Sequence, residues 1–170
     1  ILVLGNKILN EMLKNGSSKN DLFKSQKILT ESYLKMMEGQ FLDISFENEK
    51  NISQDKYLKM ISLKTGALIE CSVMLGAIAA NKNLNDKVYK LISEFGRDIG
   101  LLFQISDDLL GVWGTDKTGN PVGADIKRKK KSLPIILTLN SQDNSASKKV
   151  NNILIKESLN QDDVDNIMDV

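Results

Sequence analysis

Apolar residues recur every three or four positions along most of the chain, the spacing typical of helices that bury one face. No two alternating apolar segments are joined by a tight Asn-Gly or Asp-Gly turn, which argues against β-hairpins. The pattern therefore predicts an all-α fold. The predicted helices span residues 1–14, 20–46, 53–81, 85–113, 132–140, 145–158 and 161–169.

Two polar residues are predicted to cap helices. Ser53 and Asn160 each precede a segment with acidic residues in its first turn, which suits the positive end of the helix dipole. Between the predicted helices, residues 114–131 form a long irregular segment that ends in five consecutive cations. A loop of that length within a compact domain is usually functional or disordered.

Composition narrows the class of protein without identifying it. With 170 residues, 41% apolar and 26% charged, the chain has the composition of a soluble globular domain. A net charge of +1 gives no overall attraction to nucleic acid, and the longest apolar run, residues 73–80, is about half a membrane span. We therefore expect no nucleic-acid partner and no integral membrane segment. A single cysteine cannot form an intrachain disulfide, which favours a cytoplasmic location.

The candidate chemistry begins with carboxylates, because histidine, the commonest general base and zinc ligand, is absent. Asp107 and Asp108 are adjacent in the apolar segment 85–113, with Gln104 and Gly111 on neighbouring turns. Carboxylates in an apolar core are costly unless they are paired, and a hard cation such as Mg²⁺ would pair them. A solvated Asp-Asp face is an equally good interpretation of this segment alone.

Lysines are the second group of candidates. Lys64, followed by Thr65, falls within the apolar stripe of segment 53–81, so its amine either extends to solvent or meets a buried anion. The basic run 127–131 fits a solvated face, a nucleic-acid patch or a diphosphate site. No aromatic residue interleaves this run, which weakens the nucleic-acid interpretation.

Four segments carry a family resemblance, and in chain order they read GNKIL, EGQFLDISFE, MISLKTGALIECSVMLGA and FGRDIGLLFQISDDLLGVWGTDKTGNPVGADIKRKKKSLPIIL. The last resembles the second aspartate-rich region of trans-isoprenyl diphosphate synthases, the family of farnesyl and geranylgeranyl diphosphate synthases. The third resembles the KTG helix of that family. The resemblance runs to about Leu139 and more weakly to the end. It implies an isoprenoid-synthase-type helical bundle, in which the helices bearing Asp107 and Lys64 face each other across a central cavity.

The resemblance also implies an activity and a set of site residues. Enzymes of this family condense isopentenyl diphosphate with an allylic prenyl diphosphate, require Mg²⁺, release diphosphate and form homodimers. By this resemblance Asp107 and Asp108 bind the metal, whereas Lys64 and Lys130 contact the allylic diphosphate. Thr65 and Gln104 match polar residues that line the path of the allylic carbocation, and Phe103 matches an aromatic residue that shapes the pocket. The implied catalytic residues are Lys64, Thr65, Gln104, Asp107 and Lys130.

The sequence departs from the family pattern at several positions. Gly111 stands where many relatives have a third aspartate, and Asn120 replaces a common lysine. The first aspartate-rich motif of the family is expected upstream of Ile1 and the C-terminal helices look short, so residues 1–170 are predicted to be part of a single isoprenoid synthase domain. The main alternative is a non-catalytic small subunit of a heteromeric prenyl diphosphate synthase, and a weaker one is a terpene cyclase. Retention of six polar site residues favours the synthase.

Overall fold

The computed structural model describes residues 2–47, 49, 51–80, 85–115 and 121–170, and every regular element within those ranges is helical. The all-α prediction is therefore confirmed for this part of the chain. The α-helices are α1 (Leu2–Asn10), α2 (Lys19–Phe46), α3 (Gln54–Ile61), α4 (Ala67–Ala80), α5 (Asp86–Trp113), α6 (Ala124–Lys127), α7 (Leu133–Leu139), α8 (Asn144–Leu154) and α9 (Gln161–Met168). A 3₁₀ turn (Glu11–Leu13) follows α1, and a π-helical turn (Ser62–Gly66) joins α3 to α4.

One predicted helix and the predicted irregular segment were wrong in detail. The helix predicted to reach residue 158 ends at Leu154, because the chain tightens there into a turn closed by Lys156 N and the Ile153 carbonyl oxygen at 3.1 Å. The segment predicted to be irregular contains the short helix α6. Residues 116–120 of that segment lie outside the described residues.

Both predicted caps are confirmed. The Ser53 hydroxyl accepts a hydrogen bond from Lys56 N at 3.3 Å. Asn160 and Asp163 form a reciprocal capping box at the start of α9: Asn160 Oδ1 accepts from Asp163 N at 2.8 Å, and Asp163 Oδ2 accepts from Asn160 N at 3.2 Å. These bonds satisfy amide groups that have no partner within the helix.

The chain divides into two compact units. Unit 1 comprises Ile1–Leu42 and Lys59–Leu102, and unit 2 comprises Asp43–Leu58 and Phe103–Val170. The prediction that residues 1–170 belong to a single domain stays a prediction. Each unit has its own set of buried side chains.

Unit 1 contains most of α2, the π-helical turn, α4 and the first part of α5. Its buried apolar side chains are Leu9, Met60, Ile61, Ala67, Cys71, Met74 and Ile78. The sequence pattern places Leu68 and Leu75 on the inward face, yet both are only half-buried. The pattern assumes an unbroken α-helix, and the π-helical turn changes the direction in which the following residues point.

The continuous helical stretch Gln54–Ala80 is long and apolar enough to span a membrane, since an 18-residue window within it has a mean hydropathy of 1.5. One such stretch is weak evidence, because core helices of soluble proteins pass the same test. The absence of an integral membrane segment stays a prediction.

The core of unit 2 joins α5 to the four helices that follow it. Its buried members are Val112, Ile126, Ile135, Val150, Ile153, Val164 and Ile167. Helix α6 enters this core through Ile126, which has no exposed surface. Gly123 precedes α6 with a φ of 68°, and a Cβ there would lie 2.3 Å from Val164 Cγ1. Glycine is required at this position by both the conformation and the close approach.

Replacing Ile126 tests whether α6 is part of this core. Ile126→Ala should lower the free energy of unfolding by about 2–5 kcal/mol, because it leaves a cavity between packed helices. Urea unfolding of the full-length protein measures this change. Ile155→Ala removes the same atoms from a residue that is 73% exposed and should change the free energy by less than about 0.5 kcal/mol. Equal effects of the two substitutions would contradict the placement of α6.

Candidate active site

Asp108, on α5 in unit 2, is a buried carboxylate surrounded by hydrogen-bond donors. Its side chain is 1% exposed. It accepts hydrogen bonds from the Tyr57 hydroxyl, from Leu133 N at 2.7 Å and from Lys130 Nζ at 3.1 Å. Gln104 Nε2 donates to Asp108 Oδ1 at 3.3 Å, the same oxygen that accepts from Lys130. These donors offset the cost of removing a charge from water.

Asp107 has a different environment although it is the adjacent residue. Successive side chains on a helix point about 100° apart, so two neighbouring residues can have different surroundings. The Asp107 side chain is 47% exposed, with Lys130 Nζ at 4.0 Å and Gln104 Nε2 at 3.3 Å from its Oδ2. Asp107 therefore presents its carboxylate to solvent while Asp108 is enclosed.

Lys130 connects the two aspartates to a third carboxylate. Its Nζ donates to Asp125 Oδ2 at 3.0 Å as well as to Asp108. Burial alone would lower the pKa of Lys130, but the Asp108 and Asp125 carboxylates outweigh it, so the net pKa is raised. The side chain stays charged at neutral pH, and 35% of it remains exposed.

Tyr57, on α3, is held as a neutral donor. Burial raises its pKa well above the usual value for a phenol, and the adjacent Asp108 carboxylate raises the pKa further. Ionisation would place a second negative charge beside a buried carboxylate. Tyr57 thus keeps its proton at neutral pH and donates a hydrogen bond to Asp108.

Gly111 provides the space that the Asp125 carboxylate occupies. A Cβ on Gly111 would lie 2.3 Å from Asp125 Oδ2 and 2.5 Å from Asp125 Cγ. Any larger residue at this position would displace the carboxylate that pairs with Lys130. Many relatives have a third aspartate at the position of Gly111. In this chain an acidic side chain from α6, that of Asp125, occupies the space beside that position.

A polar cavity of about 600 Å³ opens beside these residues within unit 2. Four carboxylates and four cations line it together with Gly111, namely Asp43, Glu47, Asp107, Asp125, Arg128, Lys129, Lys130 and Lys131. Within the described ranges, no group of three or more His, Cys, Asp or Glu side chains is arranged to hold a metal ion by itself. The oxygen-only donors suit a hard cation such as Mg²⁺, provided that a bound ligand supplies the remaining oxygens.

The structure places the other predicted site residues as follows. Gln104 lies against both aspartates, as its spacing predicts, and Phe103 is 60% exposed on the same helix. Lys64 and Thr65 lie half-buried on the π-helical turn of unit 1. Their approach to Asp107 across a central cavity stays a prediction, as does metal binding by Asp107 and Asp108. The solvated-face interpretation is wrong for Asp108.

Sequence reasoning missed two residues of this network. Tyr57 lies in the apolar stripe of segment 53–81, where periodicity indicates only burial, and Asp125 falls in the segment predicted to be irregular. The hydroxyl of a tyrosine in a buried stripe needs a partner, which was the available signal for Tyr57. No local signal pairs Asp125 with Lys130.

Comparison with known proteins identifies the family. The family model described as polyprenyl synthetase matches residues 2–170. The chain is 42% identical to geranylgeranyl diphosphate synthase of Saccharolobus solfataricus over 132 residues, which covers 77% of this chain and 39% of that protein. A polyprenyl synthetase from Streptomyces coelicolor superimposes with a TM-score of 0.80 at 30% identity, covering 96% of this chain and 46% of that one.

A second solved structure was determined with ligands. Geranylgeranyl pyrophosphate synthase from Corynebacterium glutamicum, complexed with isoprenyl diphosphate and magnesium, matches with a TM-score of 0.76 at 27% identity, over 92% of this chain and 44% of that one. The chain belongs to the polyprenyl synthetase family, and its fold is that of these all-α synthases. It spans less than half the length of each of these relatives.

The raised pKa of Tyr57 predicts a pH-dependent contribution to stability. At about pH 7, Tyr57→Phe should lower the free energy of unfolding by about 1–3 kcal/mol, because Asp108 loses a donor. Above about pH 10 the phenol ionises in the unfolded chain but not in the folded one, so the wild type loses stability that the variant does not. The difference between the two proteins should therefore shrink by about pH 11.

Urea unfolding of the full-length protein at several pH values measures this difference. Tyr33→Phe, on α2 in unit 1, is the control for loss of a phenol elsewhere. A Tyr57→Phe effect that is constant from neutral to alkaline pH would show that Asp108 does not hold Tyr57 in its protonated form.

Proposed function

We propose that this chain carries part of the active site of a trans-prenyltransferase, which condenses isopentenyl diphosphate with an allylic prenyl diphosphate and releases diphosphate. The observation that carries the proposal is the pairing of Asp107 with Lys130 at a cavity lined by equal numbers of carboxylates and cations. Such a lining suits an anionic diphosphate accompanied by cations. The Corynebacterium glutamicum relative, which binds isoprenyl diphosphate and magnesium, supports the same ligands here.

The proposed roles of the residues follow from their surroundings. Mg²⁺, when bound, would neutralise charge on the departing diphosphate. Asp107 is the better placed of the two aspartates to hold it, because its carboxylate is half-exposed whereas that of Asp108 is enclosed by donors. Asp108 instead fixes Lys130, whose charged amine faces the diphosphate. Holding this cation in place before the reaction avoids reorganisation when negative charge develops on the leaving group.

Three further residues are proposed to act on the hydrocarbon part of the substrate. Loss of diphosphate leaves an allylic cation, the double bond of isopentenyl diphosphate attacks it to form the new C–C bond, and a proton is then lost to diphosphate. Polar oxygens of Thr65 and Gln104 would stabilise the cation, and Phe103 would shape the pocket that receives the chain. These assignments rest on the family resemblance.

The remaining proposals concern the whole protein. Retention of the polar residues named above favours a synthase over a non-catalytic subunit.

We propose a cytoplasmic homodimer that pairs through α2, which exposes the large apolar side chains Phe23, Leu34, Met37 and Phe41. Unpartnered apolar surface of this extent is typical of an interface. Light scattering of the full-length protein at micromolar concentration should give twice the subunit mass.

A product assay tests the proposed reaction. The full-length protein is incubated with isopentenyl diphosphate and allylic diphosphates of increasing length, with Mg²⁺ or with a chelator. The expected result is a longer prenyl diphosphate and released pyrophosphate in the presence of Mg²⁺ only. Hydrolysis or cyclisation of the allylic substrate, without use of isopentenyl diphosphate, would contradict the proposal.

The two aspartates should respond differently to substitution. Asp107→Ala should reduce turnover by about a thousandfold, and by more than Asp108→Ala, while changing the free energy of unfolding by less than about 1 kcal/mol. Asp108→Ala should instead lower that free energy by about 3–5 kcal/mol, because Lys130 and Tyr57 lose a buried partner. Steady-state kinetics and urea unfolding measure the two quantities. Equal and small effects of both substitutions on turnover would contradict the proposal that Asp107 holds the metal.

Lys130 should matter more than its exposed neighbours. Lys130→Ala should raise KM for the allylic diphosphate by about tenfold or more at both low and high salt, because a fixed, partly buried charge is poorly screened. Lys127→Ala is the matched control, since Lys127 is exposed and does not line the cavity. Lys129 is less suitable because its amine bonds to the carbonyl oxygens of Lys156 and Glu157. A larger effect at Lys127, or a Lys130 effect that disappears in high salt, would contradict the assignment.

A further inference from the structure

The helix that carries Lys64 and Thr65 is interrupted by a π-helical turn. The turn spans Ser62–Gly66, and Ala67 N–H donates to the Ser62 carbonyl oxygen five residues before it. An α-helix bonds four residues back, so this turn is wider and holds one additional residue. π-helical turns are rare and less regular than α-helical ones, and neighbouring elements have to accommodate the wider backbone.

Gly39, on α2, packs directly against the backbone of this turn. A Cβ on Gly39 would lie 2.3 Å from Lys64 N, 2.7 Å from Lys64 Cα and 2.8 Å from the Leu63 carbonyl carbon. These are main-chain atoms, which cannot rotate aside as the end of a side chain can. Only glycine allows α2 to approach the turn this closely.

Gly100, on α5, makes the corresponding contact at the end of the turn. A Cβ on Gly100 would lie 2.5 Å from Gly66 Cα and 3.3 Å from the Gly66 carbonyl oxygen. Gly39, the turn and Gly100 all belong to unit 1. The turn is therefore in main-chain contact with two other helices, one at Lys64 and one at Gly66.

We propose that Gly39 and Gly100 are positioning residues for Lys64 and Thr65, acting through the backbone of the π-helical turn. Close contact on α2 and α5 fixes the course of the main chain at these two residues, and so the direction of their side chains. This inference rests on the proposed function and on the family resemblance, by which Lys64 contacts the diphosphate and Thr65 lines the path of the cation. A displacement of about 1 Å in such a group can reduce catalysis by about a hundredfold.

Gly96 makes a similarly close contact, but with a regular α-helix instead of the π-helical turn. It lies one turn before Gly100 on α5, and a Cβ there would lie 2.8 Å from Glu70 Cα, in the regular helix α4. Alanine at Gly96 should disturb the packing of unit 1 as alanine at Gly39 or Gly100 does. It should leave the π-helical turn in place, which makes Gly96→Ala the matched control.

The experiment compares the full-length wild type with Gly39→Ala, Gly100→Ala, Gly96→Ala and Lys64→Ala. Calorimetric titration with inorganic pyrophosphate in the presence of Mg²⁺ measures the affinity for the diphosphate group, and thermal unfolding measures stability. Gly39→Ala and Gly100→Ala should weaken pyrophosphate binding by about tenfold or more. Gly96→Ala should lower Tm comparably but change the affinity by less than about twofold.

The outcomes separate this inference from the proposed function. If Lys64→Ala binds pyrophosphate as the wild type does, the proposed role of Lys64 fails, and with it the basis of the inference. If Lys64→Ala weakens binding but Gly39→Ala and Gly100→Ala weaken it no more than Gly96→Ala, the inference alone is overturned.

A deletion variant covers the case in which the alanine variants do not fold. Deleting Leu63 removes the additional residue and returns the segment to a regular α-helix. Thermal stability should then be retained, while pyrophosphate affinity should fall as far as in Lys64→Ala. Retained affinity in this variant would overturn the inference, because Lys64 would then be positioned without the π-helical turn.

Discussion

The buried carboxylate of Asp108 is the interaction on which the candidate site depends. A charge removed from water must be compensated by donors, or it takes up a proton or unfolds its surroundings. The donors come from separate segments: the Tyr57 hydroxyl from α3, the Lys130 amine from the basic run 127–131, and the Leu133 N–H at the start of α7. The hydrogen bonds to the Asp108 carboxylate therefore hold these three segments of unit 2 against α5.

As a result, the two adjacent aspartates differ in their surroundings: Asp108 is enclosed by donors and Asp107 is half-exposed. Asp108 holds Lys130 in place, and Asp125, which fits only because residue 111 is glycine, holds it from the other side. Asp107 is left half-exposed at the cavity, next to a fixed positive charge. The Asp107 carboxylate and the Lys130 ammonium are thereby held side by side at the cavity.

Much of this arrangement follows from the sequence, and the remainder has identifiable reasons. Apolar periodicity predicted the long helices, and polar residues before acidic turns predicted the caps at Ser53 and Asn160. Periodicity indicates which face of a helix is buried, but it does not pair a buried polar group with a partner distant in the chain. For that reason the contact between Tyr57 and Asp108 was missed. The π-helical turn was missed because apolar periodicity assumes an unbroken α-helix and carries no information on the close packing of Gly39 and Gly100 against this segment.

The most direct test of this account is to locate the metal. A crystal structure of the full-length protein with Mn²⁺ and pyrophosphate, with Mn²⁺ placed by its anomalous scattering, would show which carboxylate is a ligand. We expect Mn²⁺ in contact with the Asp107 carboxylate, with Asp108 still bonded to Tyr57 and Leu133 N. Mn²⁺ bound by Asp108 with the Tyr57 hydroxyl displaced, or no Mn²⁺ at Asp107, would contradict it.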